Sequence, residues 1–245
     1  MHRAIYRILY PFFDRLFIAD SYSCRNDKGI HKALNRFRSF ARKVSCNHTQ
    51  TVWALKCDVR KFFASIDQSI LLSILEKHIP DQDILKLLSE IIGSFHTEEG
   101  KGLPLGNLTS QLLVNVYMNE FDQFMKHQAK AKYYIRYADD FVIFSDNKKQ
   151  LKTTLLQISA FLEFRLGLKL HPDKVFIKTV ASGVDFLGWV HFPRHRVLRT
   201  VTKNRAFRNI REKERKQETV ESYLKLIKHG NAYKLRKRIE ATLVD

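Results

Sequence analysis

Two adjacent aspartates, Asp139 and Asp140, lie between two short runs of aromatic and β-branched residues, and they constrain the fold more than any other feature. Residues 133–137 and 141–144 predict two strands, with a tight turn from Ala138 to Asp140. Asp is common in turns because its side chain bonds its own backbone, so turn formation alone accounts for the pair equally well. The apolar flanks place the turn at the end of a core hairpin, where adjacent carboxylates repel each other. A divalent cation would relieve that repulsion.

The composition is that of a globular protein, with 245 residues, 44% hydrophobic and 28% charged. Its apolar runs are far shorter than the roughly 20 residues that a membrane-spanning helix needs, so no membrane partner is expected. The first residues lack the apolar core and cleavage site of a signal peptide. The three cysteines show no Cys-x-x-Cys spacing and are interpreted as reduced thiols. These features predict a cytoplasmic protein.

Basic residues exceed acidic ones by 43 to 25, which gives a net charge of +18 and indicates a polyanionic partner. Residues 194–216 carry ten Lys and Arg against two Glu, and a second basic cluster covers residues 225–238. A solvated basic face is the simplest interpretation of either cluster. Two clusters and the overall excess together favour a surface that follows nucleic-acid phosphates, with Arg205 and Arg208 as candidate contacts.

A second acidic strand end and a glycine-rich loop complete the candidate site. Residues 51–59 predict a strand that ends near Asp58, which serves equally well as a helix cap or a metal ligand. The loop over residues 100–111 precedes a long helix, and its free backbone amides suit an anion, although a flexible connection is the alternative. If the strand ends meet, Asp58, Asp139 and Asp140 form a carboxylate cluster that needs a metal, and oxygen ligands suit Mg²⁺ or Mn²⁺.

Coarser features of the chain are also predicted. A helix over residues 4–18 is expected to break at Pro11, and residues 184–190 predict one apolar strand. Further helices are expected after a cap at Ser65 or Asp67, over 109–127 and over 151–167.

In this order the motifs resemble the palm and fingers of reverse transcriptases. Tyr137 to Asp140 matches the Tyr-x-Asp-Asp box of that family, residues 24–34 resemble its fingers motif, and residues 58–63 its first palm motif. Lys174 resembles the palm lysine, and residues 186–189 the primer-grip hairpin. The resemblance implies an α+β fold: a right-hand polymerase palm, with an antiparallel sheet and helices on one face, partial fingers and a short basic helical thumb-like segment. It divides the chain into partial fingers (1–50), palm with inserted fingers elements (51–193) and thumb-like segment (194–245).

The resemblance also assigns roles to residues. Asp58, Asp139 and Asp140 would be catalytic and would hold two metal ions, together with the backbone carbonyl of Val59. Arg25 and Lys28 would meet the triphosphate, and the ring of Phe63 would exclude a 2′-hydroxyl. The implied nucleotide-binding residues are Arg25, Lys28, Phe63, Leu105, Gly106, Gln111 and Lys174. The implied primer and template contacts are Tyr137, Leu187, Gly188, Trp189, Arg205 and Arg208.

One departure from the motifs of the family points to a subgroup within it. Many reverse transcriptases carry Gln-Gly-x-x-x-Ser-Pro before the long helix, whereas residues 105–111 here have Leu105 in place of Gln and Gln111 in place of Pro. That variant resembles the enzymes of diversity-generating retroelements, which are related to retron and group II intron enzymes. Leu105 lacks a polar side chain that would help to hold the nucleotide and template. We therefore expect error-prone copying at template adenine.

The expected activity is that of an RNA-directed DNA polymerase, a nucleotidyltransferase acting on dNTPs, an RNA template and a DNA or RNA primer. A small basic accessory protein is a further candidate partner. Family members have more fingers sequence upstream, so the chain is expected to be a fragment. Two alternatives are kept: a non-catalytic RNA-binding splicing helper or remnant, and a template-independent polymerase of phage defence.

Overall fold

The centre of the structure is a four-stranded antiparallel sheet, described by a computed structural model over residues 2–104, 106–212 and 216–241. The strands are β1 (Trp53–Asp58), β2 (Tyr134–Tyr137), β3 (Asp140–Ser145) and β4 (Phe176–Thr179), in the order β2-β3-β1-β4. Side chains alternate between the two faces of a strand, so Leu55 and Cys57 lie in one core while Ala54 lies in another. Both faces of the sheet are therefore buried.

Ten α-helices surround this sheet in the described part of the chain. They are α1 (His2–Asp14), α2 (Ile30–Val44), α3 (Phe62–Ser65), α4 (Gln68–Glu76), α5 (Gln82–Gly93), α6 (Leu108–Gln123), α7 (Lys148–Leu166), α8 (Thr200–Glu212), α9 (Gln217–Ile227) and α10 (Tyr233–Ala241). Helices α1, α4, α5, α6 and α7 contribute to the core on one face. Nearly every residue of α6 is buried, and a π-helical turn (Phe124–Gln128) extends it to the predicted end. Asp67 caps α4, as one of the two candidate caps.

The other face of the sheet is covered by α2 and by a second, three-stranded sheet. Its strands are β5 (Val184–Phe186), β6 (Trp189–His191) and β7 (Arg196–Leu198), paired antiparallel in that order. Apolar residues of α8, α9 and α10 join the same core. The α+β class and the palm-like antiparallel sheet are confirmed. Helices occur on both faces rather than one, because Phe37 and Phe40 of α2 pack against Phe144 of β3.

Two local predictions are wrong. Helix α1 continues through Pro11 and ends at Asp14, because the buried side chains of Tyr10 and Phe13 hold the segment against the core. The predicted strand over residues 184–190 is two strands, since Leu187 and Gly188 have φ values of +52° and +82° and form a tight turn. The hairpin expected from the family resemblance is therefore present. None of the described helices is long and apolar enough to cross a lipid bilayer.

Candidate active site at the acidic end of the central sheet

The register of the sheet brings the three predicted carboxylates to one end. Asp58, the last residue of β1, is the cross-strand partner of Asp140, the first residue of β3. Asp139 lies in the two-residue turn between β2 and β3, where Ala138 has a φ of +54°. The backbone N–H of Val59 donates to the carbonyl of Asp139 at 3.3 Å. Strand pairing thus holds the two acidic strand ends beside each other.

Two lysines lie among these carboxylates. The ammonium group of Lys56 is 3.3 Å from Oδ1 of Asp140 and 3.8 Å from Oδ2 of Asp58, and only 7% of the residue is exposed. Lys174 donates to Oδ1 of Asp58 at 3.1 Å, but its side chain is 52% exposed. Lys174, which resembles the palm lysine of the family, thus contacts the carboxylate cluster and also faces solvent.

The surroundings of Asp139 and Asp140 disfavour the charged form of their carboxyl groups. Burial raises the pKa of Asp140 to about 7, with Lys56 opposing this effect and the charges of Asp58 and Asp139 adding to it. Burial also raises the pKa of Asp139. Oδ1 of Asp140 is buried and accepts no hydrogen bond, since its contact with Lys56 has the geometry of an ion pair only. Most buried carboxylate oxygens in proteins accept a hydrogen bond, so this one is unusual.

The donor set suits a divalent cation by its chemistry. Hard carboxylate oxygens from two strand ends, one of them buried without a hydrogen bond from the described residues, are ligands that Mg²⁺ and Mn²⁺ prefer. The described residues nevertheless include no ready-made group of three or more His, Cys, Asp or Glu side chains arranged to hold a metal ion. Lysine ammonium groups neutralise the carboxylates instead.

The two predicted triphosphate-binding cations are engaged within the N-terminal segment. Arg25 has a side chain that is 6% exposed and donates to Oδ1 of Asp14 at 2.7 Å. It also donates to the carbonyls of Ile18 and Ser21, at 2.7 and 3.1 Å. The ammonium group of Lys28 donates to one carbonyl of the described residues, that of Ala19, at 2.8 Å. Arg25 holds the loop in shape, so Lys28 is the more available of the two.

Three further predicted nucleotide contacts have contrasting positions. Phe63 is half-buried in α3, with its ring 5.5 Å from that of Phe62. Gly106 is exposed at a φ of +92°, with open space where a side chain would project. Gln111 is half-buried in the first turn of α6 and donates its N–H to the carbonyl of Asn107. Leu105 lies outside the described residues. The roles of these residues stay predictions.

The predicted primer and template contacts divide by exposure. Tyr137 is half-buried, and burial raises the pKa of its hydroxyl. Leu187 and Gly188 form the tip of the β5–β6 hairpin. The ring of Trp189 is 1% exposed and belongs to the core, so in this structure it is not presented to a primer. On α8, Arg205 and Arg208 are exposed, and Arg208 lies 3.7 Å from Glu212.

The comparison with protein families decides where the chain belongs. The family described as "Reverse transcriptase (RNA-dependent DNA polymerase)" matches residues 1–191. The chain belongs to the reverse transcriptase family. Domains of this family generally use divalent metal ions, which agrees with the chemistry of the carboxylate cluster.

Two curated proteins that are similar to this reverse transcriptase chain are longer than it. "Protein YkfC" of Escherichia coli (strain K12) is 27% identical over 237 residues, covering 81% of this chain and 60% of that protein. "Group II intron-encoded protein LtrA" of Lactococcus lactis subsp. cremoris is 20% identical, covering 77% of this chain and 42% of LtrA. The chain thus spans less than two thirds of the length of these curated relatives.

Solved structures support the fold. An apo telomerase from Candida tropicalis, truncated from its C-terminal domain, matches with a TM-score of 0.61 at 13% identity, over 80% of this chain and 44% of that one. Telomerase from Candida albicans, in complex with a TWJ fragment of telomeric RNA, matches with a TM-score of 0.57 at 13% identity, over 81% and 37% of the two chains. At such identities the likeness shows the polymerase palm fold alone.

Two residues of this reverse transcriptase site were not predicted from the sequence. Lys56 lies two residues before Asp58, and residues two apart on a strand share a face, so the spacing carried a usable signal. Arg136, fully buried in β2, donates to the carbonyl of Ala138 in the Asp-Asp turn at 3.0 Å and pairs with Asp122 of α6 at 2.6 Å. No local pattern indicates that partner, because it lies on another element.

Proposed function

We propose that this reverse transcriptase chain is an RNA-directed DNA polymerase that extends a primer 3′-hydroxyl with dNTPs. The observation that supports it is the register of β1 and β3, which sets Asp58 opposite Asp140 and leaves Asp139 in the adjoining turn. Membership of the family gives this carboxylate cluster its chemical context.

Asp58, Asp139 and Asp140, with the carbonyl of Val59, would hold two Mg²⁺ or Mn²⁺ ions. Ions held there would supply positive charge for activating the attacking hydroxyl and for stabilising the leaving oxygen and the phosphate. Asp140, whose pKa is raised to about 7 by burial, would give up its proton as the cation arrives. The half-exposed Lys174 can leave Asp58 and turn to the triphosphate, whereas the buried Lys56 stays with the carboxylates.

Other residues would bind the substrates. Lys28, and Arg25 if it leaves Asp14, would neutralise the departing pyrophosphate. Phe63 would exclude a 2′-hydroxyl, and Gly106, Gln111 and Lys174 would line the remainder of the dNTP site. We assign the RNA template and the primer to Tyr137, the Leu187–Gly188 tip, Trp189 through its backbone, and the exposed Arg205 and Arg208. RNA binding should then weaken steeply with salt as counterions are released, and a flat salt response would count against this surface.

A finer proposal concerns fidelity and context. We assign the chain to a diversity-generating retroelement with error-prone copying at template adenine, on the basis of Leu105 and Gln111. Sequencing cDNA made by the wild type and by Leu105→Gln tests it, since the variant should make fewer errors at adenine. Equal error at all four template bases in the wild type would remove the idea. A cytoplasmic location and a small basic accessory partner are part of the same proposal.

A non-catalytic RNA-binding function is the alternative from another class. The observation that favours it is the lysine pairing of the cluster, since Lys56 and Lys174 neutralise the carboxylates without any metal. Such a protein would bind RNA and incorporate no nucleotide.

Incorporation of labelled dNTPs on a primed RNA template, with Mg²⁺ or Mn²⁺, separates these functions. Asp139→Ala should abolish extension and leave RNA binding largely intact, because Asp139 lies in a turn. Asp146→Asn, which removes an exposed carboxylate just beyond the other end of β3, is the control and should extend normally. Unchanged extension by Asp139→Ala would sink the assignment. Incorporation that needs no template would favour the template-independent polymerase.

A further inference from the structure

A basic cavity of about 260 Å³ lies between α2, the β6–β7 loop and the loop that joins α9 to α10. Of the predicted catalytic, nucleotide and primer residues that the structure describes, none lines it. The charged and titratable side chains in its wall are Arg38, His191, Arg194, His195, Arg196, Lys228 and His229. No Asp or Glu is among the lining residues.

Among the described residues, no carboxylate pairs with the positive charges of this cavity. Over the described residues, Arg38, Arg194, Arg196 and Lys228 make no ion pair with a carboxylate. The charge of Arg38 also helps to lower the pKa of Arg196, after the larger effect of burial. Like charges held together in a partly buried site favour an anionic partner.

Arg196 has an unsatisfied hydrogen-bond donor at this site. Its Nε donates to the carbonyl of His229 and its Nη2 to Oδ1 of Asn35 at 3.3 Å. Its Nη1 is buried and has no hydrogen-bond partner among the described residues. A buried charged donor without an acceptor is costly, and such groups are rare in native structures. The described residues therefore leave the guanidinium of Arg196 incompletely satisfied.

His191 offers a second unpartnered nitrogen in the same wall. The residue is 3% exposed, and its Nε2 has no partner in the part of the chain that the structure describes. Burial lowers the pKa of His191 to about 3, so its neutral ring can accept from a protonated phosphate oxygen.

The walls of the cavity are tied together before any ligand binds. The ring of His31 stacks on that of His229 at 3.6 Å, and the ring of Phe37 lies 4.0 Å from that of His191. The N–H of Asn231 donates to the carbonyl of Arg196 at 2.8 Å. Rigid walls reduce the entropy that a ligand would lose on binding.

We propose that this cavity binds a phosphate group, separately from the carboxylate site and independently of polymerase activity. Arginine guanidinium groups match the geometry of phosphate oxygens, and Arg38 and Arg196 supply two of them from different elements. Lys228, from the loop that joins α9 to α10, adds a third charge. Two sources share this chemistry: the backbone of bound RNA and a small phosphorylated molecule.

Calorimetric titration with inorganic phosphate, at constant ionic strength against chloride, tests the site directly. The double variant Arg38→Gln and Lys228→Gln should weaken phosphate binding by about tenfold or more, since it removes two charged donors. Both side chains are exposed and make no ion pair, so folding should be retained. The control, Lys86→Gln with Lys152→Gln, removes equal charge from two exposed helical positions outside the cavity and outside both basic clusters, and it should bind phosphate as the wild type does.

A second arm identifies the source of the phosphate. If a single-stranded RNA with a 5′-hydroxyl binds more weakly to the cavity variant than to the control, the ligand is a backbone phosphate. If phosphate binding falls while RNA binding matches the control, the ligand is a small phosphorylated molecule. Absence of phosphate binding by the wild type, or equal loss in both double variants, would overturn the proposal. Primer extension enters neither arm, so failure here leaves the polymerase assignment untouched.

Discussion

Two buried clusters of opposite charges lie against the same hairpin, and they differ in how completely they are satisfied. In the first, Arg136 and Asp122 are both fully buried, and Tyr134 donates to Oδ1 of Asp122 at 2.7 Å. Arg136 reaches both oxygens of Asp122, at 2.8 and 2.6 Å. In the second, Lys56 lies between Asp58 and Asp140, and Oδ1 of Asp140 accepts no hydrogen bond. We refer to them as the arginine cluster and the carboxylate cluster.

This difference indicates a structural role for the arginine cluster and a chemical role for the carboxylate cluster. In the arginine cluster each charge has fixed partners, and Nη1 of Arg136 also holds the carbonyl of Ala138 in the Asp-Asp turn. The carboxylate cluster keeps like charges close together, with the pKa of Asp140 raised to about 7 by burial. A folded chain keeps such an arrangement where function requires it. The arginine cluster stabilises the turn that positions the carboxylates.

The largest effect is predicted for a substitution that breaks the arginine cluster. Arg136→Ala should destabilise the chain by about 3–5 kcal/mol, because it leaves the buried Asp122 carboxylate without its cation. Urea unfolding followed by circular dichroism measures this. Arg199→Ala breaks an exposed pair with Asp185 at 2.8 Å and should cost under about 1 kcal/mol. Equal losses of stability in the two variants would contradict the structural role of the arginine cluster.

The next prediction removes the cation of the carboxylate cluster. Lys56→Met should cost about 3 kcal/mol in EDTA, because two neighbouring carboxylates lose their buried counter-charge. Adding Mg²⁺ should recover part of that loss, since a divalent ion supplies the missing charge. The same addition should leave Arg136→Ala unimproved relative to the wild type. Thermal unfolding with and without Mg²⁺ gives both comparisons, and a loss that Mg²⁺ leaves unchanged would contradict the assignment.

A pH series distinguishes Asp140 from an ordinary carboxylate. Its folded pKa of about 7 lies above the reference value of 3.8, so the folded state binds the proton more tightly. In EDTA the wild type should therefore lose stability as pH rises from about 4 to about 7. Asp140→Asn does not titrate there, so it should be more stable than the wild type by about 1–3 kcal/mol at pH 8 and similar near pH 4. A difference that does not vary with pH would refute this pKa.

The smallest effect belongs to Lys174. Because its side chain is 52% exposed, its pair with Asp58 is screened by water, and Lys174→Gln should change stability by less than about 1 kcal/mol. If the residue turns to the triphosphate, the same variant should raise KM for dNTPs more than it lowers kcat. Steady-state kinetics on a primed template measures the split. An unaltered KM would indicate that Lys174 contacts the carboxylate cluster and not the triphosphate.

The sequence predicted the elements of this site better than their contacts. The Asp-Asp hairpin, the strand ending at Asp58 and the helix after Asp67 all follow from local patterns, and the structure contains each of them. The meeting of Asp58 with Asp140 depends on sheet order, which the sequence reaches only through the family resemblance. The pairing of Arg136 with Asp122 depends on packing between β2 and α6, and no local pattern encodes it.

Local rules also failed where tertiary contacts opposed them. Pro11 lies inside α1 because Tyr10 and Phe13 are buried on either side of it. Leu187 has a positive φ, which is unusual for a leucine, and the pairing of β5 with β6 holds it there. Arg25 resembled a free cation but is held by Asp14, eleven residues earlier.

Calorimetric titration with Mn²⁺ tests the central claim, that the carboxylate cluster is a metal site, most directly. It uses the wild type, Asp140→Asn and Asp146→Asn, each bound to a dNTP and to a primed RNA template whose primer lacks its 3′-hydroxyl. The account predicts that the wild type and Asp146→Asn bind two ions, and that Asp140→Asn loses at least one of them. Binding of Mn²⁺ that is identical in Asp140→Asn and the wild type would contradict it.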